Sequence, residues 1–65
     1  MFLVYQNSTR KLIAHNNGGV WILYSNGPSG PHHDVARNLK RYLKNNWDFI
    51  SCFSSFDDAH DFIQS

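Results

Sequence analysis

Sixty-five residues are enough for one domain, expected to span residues 1–65, and too few for a second. An apolar content of 42%, with two Trp, three Tyr and five Phe residues, predicts a packed core and argues against a disordered chain. A lone cysteine excludes an internal disulfide, and a net charge of +1 does not by itself indicate a nucleic-acid binder.

The N-terminal segment MFLVYQN is too short an apolar run for a secretory signal or a membrane span, and no basic region precedes it. We therefore expect a cytoplasmic protein with no membrane partner. Charge is spread unevenly along the chain. Arg10 and Lys11 give residues 1–30 a charge of +2, whereas residues 49–65 carry three Asp and no Lys or Arg.

Three strands are predicted in the first half of the chain, over Phe2–Gln6, Lys11–His15 and Val20–Ser25. Asn17-Gly18 is predicted to be the hairpin turn between the second and third strands, which places His15 opposite Val20. Alternation then puts one set of side chains on one face of the sheet: Ile13, His15, Val20, Ile22 and Tyr24. The opposite face receives Leu12, Ala14, Trp21 and Leu23.

A long helix is predicted after the loop at residues 26–31, from Pro31 or His32 to Asn45. Its apolar stripe is formed by Val35, Ala36, Leu39, Tyr42, Leu43 and Trp47. Its basic face is formed by Arg37, Lys40, Arg41 and Lys44.

A fourth strand is predicted over Phe49–Phe53, followed by a helix that begins at Ser55 with Asp58 in a capping box. The predicted fold class is therefore α+β, in the order β-β-β-α-β-α. A right-handed crossover places the fourth strand parallel to the third. The economical arrangement is a mixed four-stranded sheet with both helices packed on one face.

Six residues of the chain are types that could ligate zinc or perform catalysis: His15, His32, His33, Asp34, Cys52 and His60. A structural zinc site needs four ligands, usually in two closely spaced pairs, and only His32-His33 forms a pair. Cys52 lies in an apolar strand, where a free thiol behaves as a small hydrophobic group. We predict no metal, no cofactor and no enzymatic activity.

The basic face of the predicted helix (Arg37, Lys40, Arg41 and Lys44) is the alternative site, for RNA or DNA phosphates. One resemblance points the same way. The stretch Phe53–Phe62, FSSFDDAHDF, resembles the closing strand and helix of the hybrid-binding domain at the N-terminus of eukaryotic ribonucleases H, which implies contact with nucleic acid. The Gly-x-Tyr and Trp-x-x-Cys elements of that family have no counterpart in this chain.

The strands carry more large apolar side chains than two short helices on one face can cover. This surplus predicts a non-catalytic protein that binds another protein, as a small regulator or inhibitor of a larger one, or binds a second copy of itself as a homodimer. The contact surface is expected on the sheet face without helices. It is centred either on Trp21 and Leu23 or on Ile13, Ile22 and Tyr24.

Overall fold

An antiparallel sheet of five strands forms the framework of this α+β protein, and the computed structural model describes all 65 residues. The strands are β1 (Phe2–Gln6), β2 (Lys11–Asn17), β3 (Val20–Gly27), β4 (Gly30–Ala36) and β5 (Asp48–Phe53). They lie in the order β4-β3-β2-β1-β5. The helices are α1 (Leu39–Leu43) and α2 (Phe56–Gln64).

The prediction of a mixed sheet with four strands is wrong in two respects. The sheet has a fifth strand, β4, where the first half of the long helix was expected. The last strand, β5, pairs antiparallel with β1 and does not lie parallel beside β3. Since β4 occupies the free side of β3, β5 cannot lie beside β3, and it pairs with β1 at the other end of the sheet.

The turn between β3 and β4 explains why residues 30–36 are extended. Pro28 and Ser29 form the turn, Gly27 pairs with Gly30, and Gly30 has a φ of 99°, which glycine adopts without strain. The helix begins only after Asn38, whose side chain accepts a hydrogen bond from the Arg41 amide at 2.9 Å. The helical spacing of apolar residues over 35–47 therefore did not mark one continuous helix.

The β2–β3 hairpin turns at Gly18 and Gly19, with φ angles of 65° and 90°, so Asn17 pairs with Val20. His15 therefore lies opposite Ile22, and the predicted register is wrong by two residues. Side chains alternate with a period of two, so a shift of two leaves every residue on its expected face. The predicted division of β2 and β3 into two faces is correct.

Three consecutive residues of β2, Leu12, Ile13 and Ala14, are buried, so the sheet has a core on each face. On one face, Val4 and Ile13 pack with Ala59 and Ile63 of α2. On the other face, a second set packs together: Leu12, Ala14 and Leu23 with Leu43 of α1. The two helices therefore cover opposite faces, and the prediction that they share one face is wrong.

Hydrogen bonds from the side chain of Arg10 connect the loop between β1 and β2 to the β3–β4 hairpin. Its guanidinium donates hydrogen bonds to the hydroxyls of Ser25 at 3.1 Å and Ser29 at 2.8 Å, and to the Gly30 carbonyl at 2.6 Å. Gly27 permits this contact, because a Cβ there would lie 2.6 Å from the Thr9 carbonyl oxygen. The orientation of the hairpin is thus fixed by a polar contact outside the two cores.

We expect Ile13→Val to lower the free energy of unfolding by about 1 kcal/mol, because Ile13 is only 2% exposed and loses a packed methyl group. Ile22→Val removes the same group from the same face at a position that is 44% exposed, and should change stability by less than about 0.5 kcal/mol. Urea denaturation followed by circular dichroism measures both. Equal losses would contradict the burial described here.

Candidate functional site

The helix α2 covers only part of its face of the sheet. It packs mainly over β1, β2 and β5, reaches β3 through the rings of Phe56 and His60 against Tyr24, and leaves the outer part of β3 and β4 largely exposed. We call this exposed area the open face. Ile22, Tyr24, His33 and Val35 of β3 and β4 form it, and Phe2, His15 and Phe56 border it.

Ile22 and Val35 form the exposed centre of the open face. They are direct cross-strand neighbours on β3 and β4, and they are 44% and 59% exposed. Phe56, the first residue of α2, is 40% exposed and lines the same groove as Ile22. A shallow groove of about 260 Å³ runs between β3 and the start of α2. Its lining is Phe2, Ile13, His15, Asn17, Ile22, Tyr24 and Phe56.

Aromatic rings fix the shape of the open face. Tyr24 contacts three rings, with centroid distances of 5.0 Å to His33, 5.5 Å to His60 and 5.9 Å to Phe56. Phe2 stacks on His15 at 4.2 Å and meets Phe56 edge-on at 6.2 Å. Because each ring is held by at least one other, these contacts fix the shape of the apolar surface.

Two histidines at this cluster have hydrogen-bond partners within the chain. The Tyr24 hydroxyl lies 3.4 Å from Nε2 of His60, and Nδ1 of His15 lies 3.1 Å from the Met1 carbonyl oxygen, which requires a proton on that nitrogen. No three His, Cys, Asp or Glu side chains come close enough together to hold a metal ion. The open face is therefore an apolar surface bordered by imidazole rings.

The structure separates the two predicted centres of the contact surface. Trp21 and Leu23 lie on the α1 face, where Leu23 is 1% exposed and Trp21 packs against it, so this centre is covered by the chain itself. Ile22 and Tyr24 lie on the open face, while Ile13, on the same face of β2, is buried under α2. The open face is therefore the part of the α2 side of the sheet that α2 covers least.

Sequence reasoning missed Val35 and Phe56 as surface residues. Val35 was placed on the buried stripe of the long helix, whereas it is exposed on β4. The signal that could have located it is the Gly-Pro-Ser-Gly segment, which lies between two potential strands and contains the glycine that a hairpin turn requires. Cys52 does lie in a strand, as predicted, and it is exposed on β5.

The four basic residues of the alternative site do not lie along one helix, because α1 contains only Leu39–Leu43. Arg37 and Arg41 come together across a groove of about 320 Å³ that also includes Asn38 and Tyr42. Lys40 lies in α1, and Lys44 ends it with a φ of 52°. All four are exposed, on the α1 side of the molecule.

The phenol of Tyr42 lies beside this groove and is electrostatically perturbed. Burial raises the pKa of Tyr42 above its ordinary value, and the neighbouring Asp34 carboxylate raises it further, while Arg10 acts in the opposite direction. Burial alone raises the pKa of Tyr5. Asp34 thus connects β4 electrostatically with α1.

Comparison of the chain with protein-family models, with curated proteins and with solved structures finds no match in any of the three. The stretch Phe53–Phe62 does form a strand end followed by a helix, and Ser55 caps that helix by accepting the Asp58 amide at 3.2 Å. Neither helix of the protein has the length and apolar character needed to cross a membrane.

We expect Asp34→Asn to lower the pKa of Tyr42 while leaving it above the ordinary value, since burial remains. In the wild type the folded state holds the phenolic proton more tightly than the unfolded chain. This contribution to stability is therefore complete below about pH 10 and is lost as the pH rises through the folded pKa. Ring-labelled tyrosine followed by NMR against pH resolves the three residues. Tyr5 is the internal control, and an unchanged Tyr42 would contradict the contact.

Proposed function

We propose that this protein is a non-catalytic binding protein, which regulates or inhibits a larger protein by seating the open face against it. The observation that carries the proposal is the exposed cross-strand pair of Ile22 and Val35 beside Phe56. Contiguous exposed apolar side chains on a small protein are typical of contact surfaces. Isolated exposed side chains would carry no such meaning.

The thinness of the two cores supports the same proposal. Only nine of the 65 residues are buried, and eight of these are apolar. A domain of this size has a small stability margin, to which a partner adds by covering apolar surface. Burial of the open face would extend the α2-side core across β3 and β4.

The aromatic cluster supports binding rather than chemistry. Tyr24 packs ring against ring with His33, Phe56 and His60, and the one hydroxyl–imidazole hydrogen bond among them, from Tyr24 to His60, is long at 3.4 Å. Ordered aromatic side chains are common anchors of protein interfaces, because they lose little conformational entropy when a partner binds. A partner that fits this surface presents an apolar patch of its own.

The test places a photo-crosslinking amino acid at position 35, on the open face, or at position 32, which is exposed on the opposite face of the same strand. We expect specific adducts in source-cell lysate from position 35 only, and their loss when Ile22→Ser is added. Adducts between two copies would identify the self-associating form of the protein. Equal yields from both positions would count against the open face.

Binding of RNA or DNA phosphates is the second candidate function. It is favoured by Arg37, Lys40, Arg41 and Lys44, four basic residues within eight positions, all exposed. The groove between Arg37 and Arg41 admits a phosphate, and the Tyr42 ring lies beside it. Arg10, by contrast, is engaged within the fold by its hydrogen bonds to the β3–β4 hairpin.

If the groove binds phosphates, affinity for a fluorescent single-stranded oligonucleotide falls steeply with salt, and Arg41→Glu weakens it by about tenfold or more. Lys11→Glu is the matched control, because it makes the same charge change outside the groove. Fluorescence anisotropy measures both. Equal effects of the two variants would indicate a response to net charge and not a site.

A further inference from the structure

The two edges of the sheet are built differently. The outer edge of β4 is protected, because Pro31 has no backbone N–H, and the Val35 N–H donates to its neighbour Asp34 at 2.8 Å. A charged carboxylate and a proline on an edge strand are devices that prevent pairing with another chain. β4 is therefore a poor template for a further strand.

The outer edge of β5 is less protected. Its one carboxylate, Asp48, stands at its first position, and the residues that follow, Phe-Ile-Ser-Cys-Phe, include neither proline nor charge. β5 pairs with β1 on one side, packs against α2 above, and has no strand on its other side. Its one irregularity is the extra residue Ile50, where the pairing with β1 shifts. Ile50 packs against the α2-side core, and no backbone hydrogen bond outside the pairing with β1 involves β5, so the main-chain groups of its outer edge are free.

Exposed phenylalanines flank this edge on both sides. Phe49 is 57% exposed on the α1 side of the sheet, and its ring centroid lies 5.5 Å from that of Tyr5. Phe62 of α2 is 39% exposed on the other side, and its ring centroid lies 5.2 Å from that of Phe53. An added strand would therefore gain main-chain hydrogen bonds along β5 and apolar contacts for side chains on both of its faces.

The charge around β5 indicates what kind of strand fits. Residues 45–65 contain four Asp residues and neither Lys nor Arg: Asp48, Asp57, Asp58 and Asp61. Asp48 begins β5, and Asp58 lies one helical turn from Phe62 on the same flank of α2. A second copy paired through β5 would bring these acids together, whereas a basic partner would neutralise them.

We propose that the outer edge of β5 accepts an extended segment of another protein as a sixth strand, with apolar residues in its centre and Lys or Arg at its ends. The segment hydrogen-bonds to the free main-chain groups of β5 and places alternate side chains against Phe49 and Phe62. This edge is at the opposite end of the sheet from Ile22 and Val35. The proposal therefore stands or fails independently of the open face.

The test uses a synthetic peptide of sequence Lys-Val-Thr-Val-Thr-Val-Lys as the probe, with two matched peptides. One has Glu at both ends, and the other is N-methylated on its central three residues and cannot pair as a strand. We expect the first peptide to slow amide hydrogen exchange in β5 and not in β4, with affinity that falls as salt increases. The Glu-ended and N-methylated peptides should fail to do so.

Two variants assign the effect to the edge. Cys52→Lys places a charge on the exposed side chain in β5 and should weaken peptide affinity by about tenfold or more. His32→Lys makes the same charge change on exposed β4 and should leave affinity within about twofold. Circular dichroism confirms that both variants fold.

Three results would overturn the proposal. Equal binding of the N-methylated peptide would show attraction by charge without strand pairing. Protection centred on Ile22 and Val35 would place the peptide on the open face, and would leave that surface, not β5, as the binding site. Protection of β5 in concentrated protein without peptide, together with a dimer in light scattering, would make a second copy the occupant.

Discussion

The fold depends on one constraint, which is that β2 buries side chains on both sides of the sheet. Leu12, Ile13 and Ala14 are consecutive, so their side chains point alternately to opposite faces, yet all three are inaccessible to solvent. Each face therefore needs a cover, and the chain has one short helix for each. The opposite placement of α1 and α2 follows from this central strand, and so does the small size of each core.

The two helices differ in length, so they shield the two faces of the sheet from solvent unequally. The five residues of α1, helped by Trp47, cover the Leu23 side, while α2 covers the other side mainly from β5 to β2. The uncovered remainder carries apolar side chains, and the outer edge of β5 has no neighbouring strand. Both candidate contact surfaces thus arise from a five-stranded sheet that is wider than its two helices.

The sequence predicted those features that depend on local alternation, and failed where two patterns overlapped. The faces of β2 and β3 were predictable because the strands alternate around a glycine-rich turn. The stretch 31–47 fits a helical stripe, and five of its six stripe residues do reach the α1-side core, but through a strand, a turn and a short helix. The competing hairpin signal at Pro28 and Gly30 decided the outcome, and with it the exposure of Val35.

The two hairpin turns differ in what surrounds them, and this determines where the protein can be labelled or joined to another chain. Gly18 and Gly19 face open space, with no atom close to where a side chain would begin. The Pro28-Ser29 turn is held by Arg10 and lies against the Thr9 backbone at Gly27. A fluorophore or an inserted linker at the Gly18-Gly19 tip would therefore leave both cores and the β5 edge intact, whereas the same insertion at Ser29 would release the edge strand β4.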